Sequence, residues 1–157
     1  MERSTRQRLS TLAAVAVLFA SALAAPTVAQ EAQGNTRRIV VLVRSLRNDH
    51  GELVGGLYTS SRVWLGVNRA AASCHADIRS GEARCVFDVE PTTRIAFAAM
   101  HDEDADGELD RDLLGLPQEG YAFSNDVREP FGPPSFEAAA FSPPALRPFV
   151  VHARYGI

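Results

Sequence analysis

The sequence predicts an all-β domain built as an antiparallel β-sandwich. Several short runs rich in β-branched and aromatic residues have the length and alternation of strands, and Gly, Pro, Asn and Asp separate them. No segment keeps a helical period for more than about two turns. A long irregular insertion, acidic and rich in Gly and Pro, is expected before the last strand. This pattern is typical of a sandwich in which short strands pair through turns.

The first 29 residues are predicted to form a secretory signal peptide. They have a basic start, an almost wholly apolar stretch at residues 12–25 and small residues before position 30. The apolar stretch is short for a membrane span. Residues 30–36 then form a flexible lead-in and residues 37–157 a single domain. We expect an exported protein, periplasmic or secreted, whose mature chain has no integral membrane segment.

The charge of the chain excludes some partners. Its 16 basic residues are all Arg, which indicates a compositional bias, and they face 19 acidic residues. Without the leader, 13 basic and 18 acidic residues leave a net charge of −5. A net-acidic chain without a basic cluster argues against nucleic acid and anionic membrane surfaces as partners.

The two cysteines, Cys74 and Cys85, predict a disulfide, because an even pair in an exported chain is usually oxidised. Metal ligation and free thiols are the alternatives. Closing so short a loop would stabilise the fold by about 2–3 kcal/mol. The spacing is too long for a CxxC redox motif, so the expected role is structural.

The first half of the chain contains two predicted strands, residues 37–46 and 52–59, which a turn at residues 48–51 would join into a hairpin. Residues 61–70 are ambiguous. Residues 79–82 form a turn before a short strand at residues 83–88.

The second half starts with a predicted strand at residues 94–101 and ends with the clearest strand, residues 149–155, whose apolar residues alternate. Between them, residues 102–146 show no sustained period. A loop of that length in a compact domain is usually functional or ordered by a ligand. Ser135 could cap one helical turn that extends to Ala140.

Residues 101–112 carry seven carboxylates in twelve positions. Aligned to a twelve-residue calcium loop, alternate Asp residues occupy positions 1, 3 and 5, and Gly107 occupies position 6, where the backbone must reverse. The predicted Ca²⁺ ligands are Asp102, Asp104, Asp106, Glu108 through its carbonyl, and Asp110. Position 12 is Leu113 instead of a bidentate Glu, so Asp112, Glu119 or a residue further along the chain would complete the shell. The alternative is a solvated acidic turn whose Asp side chains cap backbone amides.

Other site chemistries have weaker support. His101 adjoins the acidic loop, where a hydrogen-bonded support is the favoured role and a catalytic base the alternative. Tyr58, Trp64, Tyr121 and Phe123 could stack against a sugar, although packing is the favoured role. The sequence contains no G-x-S-x-G elbow and no identifiable nucleophile–base pair.

Three runs of the sequence form a combined pattern: residues 101–110, residues 114–125 and residues 132–139. Together they resemble the DUF2141 family of small exported bacterial proteins of uncharacterised function. The resemblance extends over roughly residues 39–155. It implies a β-sandwich similar to transthyretin-like, immunoglobulin-like or carboxypeptidase-regulatory-like domains, and it implies no activity.

The functional expectation is therefore a calcium-stabilised binding or envelope-accessory module, with catalysis undecided and less favoured. The alternative is a carboxylate-based or metal-assisted hydrolase that acts near His101. In the first hypothesis calcium orders the acidic loop, and the following segment meets an unknown protein or glycan partner. The expected partner-binding residues are Tyr121, Phe123, Ser124 and Asn125.

Overall fold

Two β-sheets packed face to face make up the fold in the computed structural model, which describes residues 36–66, 68–89, 94–142 and 147–156. The strands are β1 (Arg37–Arg44), β2 (Glu52–Tyr58), β3 (Ala72–Ala76), β4 (Ala83–Val89), β5 (Ala96–Asp102), β6 (Gly120–Phe123) and β7 (Phe149–His152). A short helix, α1 (Phe136–Ala139), lies between β6 and β7. The predicted signal peptide, and the lead-in except for Thr36, lie outside the described residues.

The first sheet has the strand order β4-β1-β7 and the second has the order β3-β2-β5-β6. All pairs are antiparallel except β1 with β7, which run parallel. The predicted β-sandwich is confirmed. The parallel pair is possible because a long stretch of chain separates β1 from β7.

The core lies between the sheets and follows from the alternation along each strand. On β1, Ile39, Val41 and Val43 are buried, and the residues between them are partly exposed. Phe97 on β5 is completely buried and meets the ring of Phe87 on β4 at 6.1 Å between centroids. Period-two burial of this kind is what a sheet with one covered face requires.

Helix α1 covers the outer face of the second sheet. Phe136 and Ala139 pack with Ala96 of β5 in a second apolar cluster, against which Trp64 also lies. The predicted cap is confirmed, because the Ser135 hydroxyl accepts a hydrogen bond from the amide of Ala138. Strand β5 is consequently buried on both faces, which explains why its sequence is apolar rather than alternating.

The predicted hairpin between the first two strands is wrong, because β1 and β2 belong to different sheets. Ser45 adopts a left-handed conformation with φ of 63° directly after β1. Leu46 is then buried, and its amide donates to the carbonyl of Gly81. The chain therefore crosses from one sheet to the other instead of turning back. Strands β3 and β6 were not predicted, and β6 lies inside the segment expected to be irregular.

The two sheets are joined at both edges. The predicted disulfide between Cys74 and Cys85 is confirmed and connects β3 to β4, with 5.8 Å between the Cα atoms. At the opposite edge, Tyr121 of β6 exchanges two backbone hydrogen bonds of 2.8 and 2.9 Å with Arg154. Within the described residues, no helix has the length and apolar character needed to cross a membrane.

Candidate functional site

Asp102, the last residue of β5, is completely buried and organises the acidic loop that follows it. One oxygen of its carboxylate accepts the amide of Asp106 at 3.1 Å, and the other accepts the amide of Gly107 at 2.8 Å. Gly107 has a φ of 84°, a conformation that L side chains rarely adopt. The loop therefore turns around a buried negative charge, with glycine at the position where the backbone reverses.

Asp104 and Asp106 bring their carboxylates to the same place. One oxygen from each of Asp102, Asp104 and Asp106 lies within 4.8 Å of the other two, the one arrangement of this kind in the described part of the chain. Asp104 also accepts the amide of Asp106, and Asp106 accepts the amide of Glu108. An ionised carboxylate offers about four lone-pair sites, so these amide bonds leave oxygen lone pairs free.

The side-chain carboxylates of the other predicted ligands do not join this group, and ligation by the main-chain carbonyl of Glu108 stays a prediction. Glu108 and Asp110 are exposed. Glu119 is 4% exposed, and its two oxygens accept the amides of Glu103 at 2.6 Å and Asp110 at 3.2 Å. It therefore fastens both ends of the acidic loop. Asp112 shapes the next turn by accepting two backbone amides.

The three clustered carboxylates suit a hard divalent cation. Every donor is oxygen, which Ca²⁺ prefers, and three carboxylates supply half of the smallest usual shell of six. The calcium would draw the remaining ligands from main-chain carbonyls and water. Leu113, at position 12, offers no side-chain ligand and projects into solvent.

Behind the loop, the buried His101 supports the structure through both ring nitrogens. Its Nε2 lies 2.9 Å from the carbonyl of His50, which can only accept, so Nε2 carries the proton. Its Nδ1 lies 2.6 Å from the Tyr155 hydroxyl, and that hydroxyl accepts the amide of Arg47 at 2.9 Å. A general base needs a free nitrogen within reach of substrate, and His101 presents none.

An ion pair connects this support to the acidic loop. The Arg47 guanidinium donates to both oxygens of Glu103 at 2.6 and 2.8 Å, and it lies 4.5 Å above the ring of Tyr155. These hydrogen bonds hold the pKa of the Glu103 carboxyl below its usual range, while burial opposes the shift. Burial raises the pKa of the Tyr155 hydroxyl. Neither Arg47 nor Tyr155 was singled out from the sequence.

A groove of about 620 Å³ lies beside the edge strand β6. Tyr121 and Phe123 form one side of it, and its other walls come from Val127, Arg128, Glu129, Pro130, Gly132, Pro134, Arg154, Tyr155 and Gly156. Ser124 is completely buried; its hydroxyl accepts the amide of Phe97 and bonds the carbonyl of Ala139. Thus two of the four predicted partner-binding residues line the groove.

Asn125, the fourth predicted partner-binding residue, is exposed. Its side-chain amide lies 3.1–3.2 Å from the carbonyls of residues 138, 139 and 140. It has a φ of 63°, a conformation that Asn tolerates better than most residues. Asn125 therefore ends helix α1 and fixes the wall of the groove.

Residues 41–145 match the model of a family described as an uncharacterized protein conserved in bacteria, DUF2141. The chain belongs to the DUF2141 family. Searches of curated proteins and of solved structures found no match.

In this DUF2141 protein, the aromatic residues considered for sugar stacking form a continuous row on the outer face of the second sheet. Ring centroids are 5.1 Å apart for Tyr58 and Trp64, 6.0 Å for Trp64 and Phe123, and 5.7 Å for Phe123 and Tyr121. The Trp64 indole donates to the carbonyl of Pro134 at 2.7 Å. The row thus packs the segment of residues 127–139 onto the sheet, and its Tyr121 end opens into the groove.

The DUF2141 chain also exposes two leucines that sequence reasoning treated only as loop residues. Leu113 and Leu114 have relative exposures of 105% and 83%. Leu113 and Leu114 directly follow the acidic run, in a stretch without strand or helix periodicity that would assign them to a core. That pattern was the signal in the sequence.

Proposed function

We propose that this DUF2141 protein is an exported binding module that takes up Ca²⁺ in its acidic loop and presents the adjoining groove to a protein or glycan partner. The observation that carries the proposal is the meeting of three carboxylates at Asp102, Asp104 and Asp106 within 4.8 Å. Two of these residues are exposed, so an ion can reach them from solvent.

Electrostatics favours a cation at this position. Two unit negative charges 4 Å apart repel by about 1 kcal/mol in water and by about 4 kcal/mol at the effective dielectric constant near a protein surface. Asp102 is completely buried, so solvent screens its charge less than it screens the charges of the exposed Asp104 and Asp106. A divalent ion would replace this repulsion with attraction to all three carboxylates.

The route from the loop to the groove is short. Glu119 accepts amides at both ends of the acidic loop, and the next residue, Gly120, begins β6. Gly120 packs so closely on Tyr155 that an added Cβ would lie 2.6 Å from its ring. An ion that fixes the loop would therefore also fix Tyr121 and the start of the groove.

The groove has the composition of a recognition site. Tyr121 and Phe123 supply aromatic faces, while Arg128, Glu129 and Arg154 supply charged groups at the walls. Aromatic surface with a few convergent polar groups suits a short glycan or an extended peptide. The Cys74–Cys85 disulfide agrees with an oxidising compartment, and export to the periplasm or the medium is part of the proposal.

The test is a calcium titration of the purified protein by calorimetry, beside an Asp104→Asn/Asp106→Asn double variant. We expect one saturable site in the parent and its loss in the double variant, because Asn removes the charges while it still accepts backbone amides. At a hundred times the Kd, calcium should add about 2.7 kcal/mol to the free energy of unfolding.

Asp77→Asn is the matched control, since Asp77 is an exposed carboxylate on another loop that pairs with Arg79. It should bind calcium as the parent does. The proposal fails if calcium produces no heat and the melting temperature is the same in calcium and in EDTA.

A further inference from the structure

The segment directly after the acidic loop forms a narrow hairpin with an apolar tip. Arg111 and Pro117 pair across its base, and the chain turns at Gly115, which has a φ of 82°. Leu113 and Leu114 at the tip are 105% and 83% exposed. The hairpin therefore holds two large apolar side chains away from the domain.

Most of the backbone amides of this tip are bonded within the hairpin. The carboxylate of Asp112 accepts the amides of Leu114 at 2.8 Å and Leu116 at 2.9 Å. The main chain of Asp112 accepts the amide of Gly115 and donates to the carbonyl of Leu116. The side chain of Arg111 donates to the carbonyl of Gly115 at 3.1 Å. These bonds do not depend on water, so the tip can enter an apolar phase without leaving those groups unpaired.

We propose that this tip inserts Leu113 and Leu114 into a lipid bilayer surface. A specific protein interface usually needs about 800 Å² from each partner, which a convex tip with two leucines does not offer. A bilayer surface requires apolar side chains and few unpaired backbone groups, and the hairpin offers two exposed leucines and four bonded amides at residues 112 and 114–116.

Charge determines which lipid surface the tip enters. The hairpin is attached to the acidic loop, since the amide of Gln118 donates to the carbonyl of Asp110. The loop carboxylates would approach the headgroups and oppose anionic lipids, whereas zwitterionic headgroups add little repulsion. Calcium in the loop, which rests on the proposed function, would cancel this opposition. Insertion into zwitterionic lipid requires no calcium.

The test is flotation of the protein with phosphatidylcholine vesicles, and with vesicles that also contain phosphatidylglycerol, each in calcium and in EDTA. We expect binding to phosphatidylcholine under both conditions and binding to the anionic vesicles in calcium. Leu113→Ser/Leu114→Ser should lower the partition coefficient on phosphatidylcholine by at least about tenfold, because both anchors are lost.

Phe131→Ser is the matched control, because Phe131 is 92% exposed on a different loop and its replacement removes comparable apolar area. It should partition as the parent does. The inference is overturned if the parent does not float with phosphatidylcholine, or if the leucine variant floats as well as the parent. It is also overturned if Phe131→Ser loses as much binding. The inference is likewise overturned if the parent binds no vesicles and the leucine variant loses a protein partner. The tip would then bind an apolar pocket of that partner.

The proposed calcium site has its own readout in this design. If calorimetry shows no calcium binding while the parent floats with phosphatidylcholine, the proposed function fails and the insertion of the tip stands. If calcium binds and no vesicle does, only the insertion fails.

Discussion

Two irregular segments follow strands of the second sheet, and a buried polar side chain organises each of them. Asp102 begins the acidic loop of residues 102–110, and Ser124 begins the groove segment of residues 124–140. Both side chains are completely buried. Asp102 accepts two amides and keeps its negative charge, whereas Ser124 accepts one amide, donates its proton to a carbonyl and stays neutral.

Both side chains hold an irregular segment in place, but the two segments should differ in how they depend on solvent and ions. The Ser124 hydroxyl both accepts and donates a hydrogen bond, so the groove segment begins at a neutral group with its bonds satisfied. The charge of Asp102 lies beside those of Asp104 and Asp106, so the acidic loop should depend on the ions that surround it. We therefore expect the stability of the groove segment to be independent of the ions in solution and that of the acidic loop to depend on them.

The largest predicted effect tests whether the acidic loop has a rigid base. In Gly51→Ala, the new Cβ would lie 1.8 Å from the backbone oxygen of Asp102, at a φ of 60°. We expect a loss of at least about 3 kcal/mol in the free energy of unfolding, because backbone on both sides must move. Urea denaturation of the purified variants measures it.

Gly107→Ala is the matched control for this clash. Gly107 has a φ of 84° within the acidic loop itself, but nothing lies within 4 Å of its added Cβ. Its cost should be about 1 kcal/mol from the left-handed conformation alone. Equal losses in the two variants would mean that Gly51 has as much free space beside Asp102 as Gly107 has in the acidic loop.

The next prediction compares the two buried side chains directly. Ser124→Ala leaves the amide of Phe97 without its acceptor and should cost about 1–3 kcal/mol. That cost should be the same in calcium and in EDTA. Asp102→Asn should cost more in calcium than in EDTA, by up to about 2.7 kcal/mol at a hundred times the parent's Kd, because it also removes a proposed ligand. Chemical denaturation under both conditions gives the four values, and a calcium-dependent loss for Ser124→Ala would contradict the comparison.

The sequence predicted the acidic loop in more detail than the groove, since the loop draws its side chains from neighbouring positions. Alternate Asp residues and a Gly are a local pattern, and the structure brings three of the five primary predicted ligands together. From the sequence, Glu119 and Asp112 could be either metal ligands or acceptors of backbone amides. Only their contacts distinguish them.

The groove and its support depend on distant pairings. Tyr121 meets Arg154 through an isolated bridge, and His101 meets Tyr155 across 54 positions of sequence. No local pattern encodes such contacts. The sandwich itself was predictable from the alternation of strands such as β1 and β4. The wrong hairpin shows that adjacent strand patterns do not determine which sheet each strand joins.

The smallest predicted effect concerns a carboxylate that resembles Asp102 in its bonding but lies at the surface. Asp49 accepts the amides of Gly81 and Ser80, each at 2.9 Å, and these bonds lower the pKa of its carboxyl below the ordinary value of 3.8. Because the folded pKa is the lower one, the bonds stabilise the fold above the unfolded pKa. That stability is lost as the pH falls below about 4 and through the folded pKa. Asp49→Asn should therefore flatten the acid limb of a plot of urea midpoint against pH.

Asp77→Asn should leave that acid limb unchanged, since Asp77 pairs at the surface with Arg79 and holds no distant loop. Asp49 connects the crossing between β1 and β2 to the turn before β4, so its variant should also lose a little stability at neutral pH. An acid limb of parental slope in Asp49→Asn would show that exposed carboxylates contribute nothing by accepting amides. The acid limb would then come from other carboxylates, such as Glu103, whose pKa the hydrogen bonds from Arg47 lower.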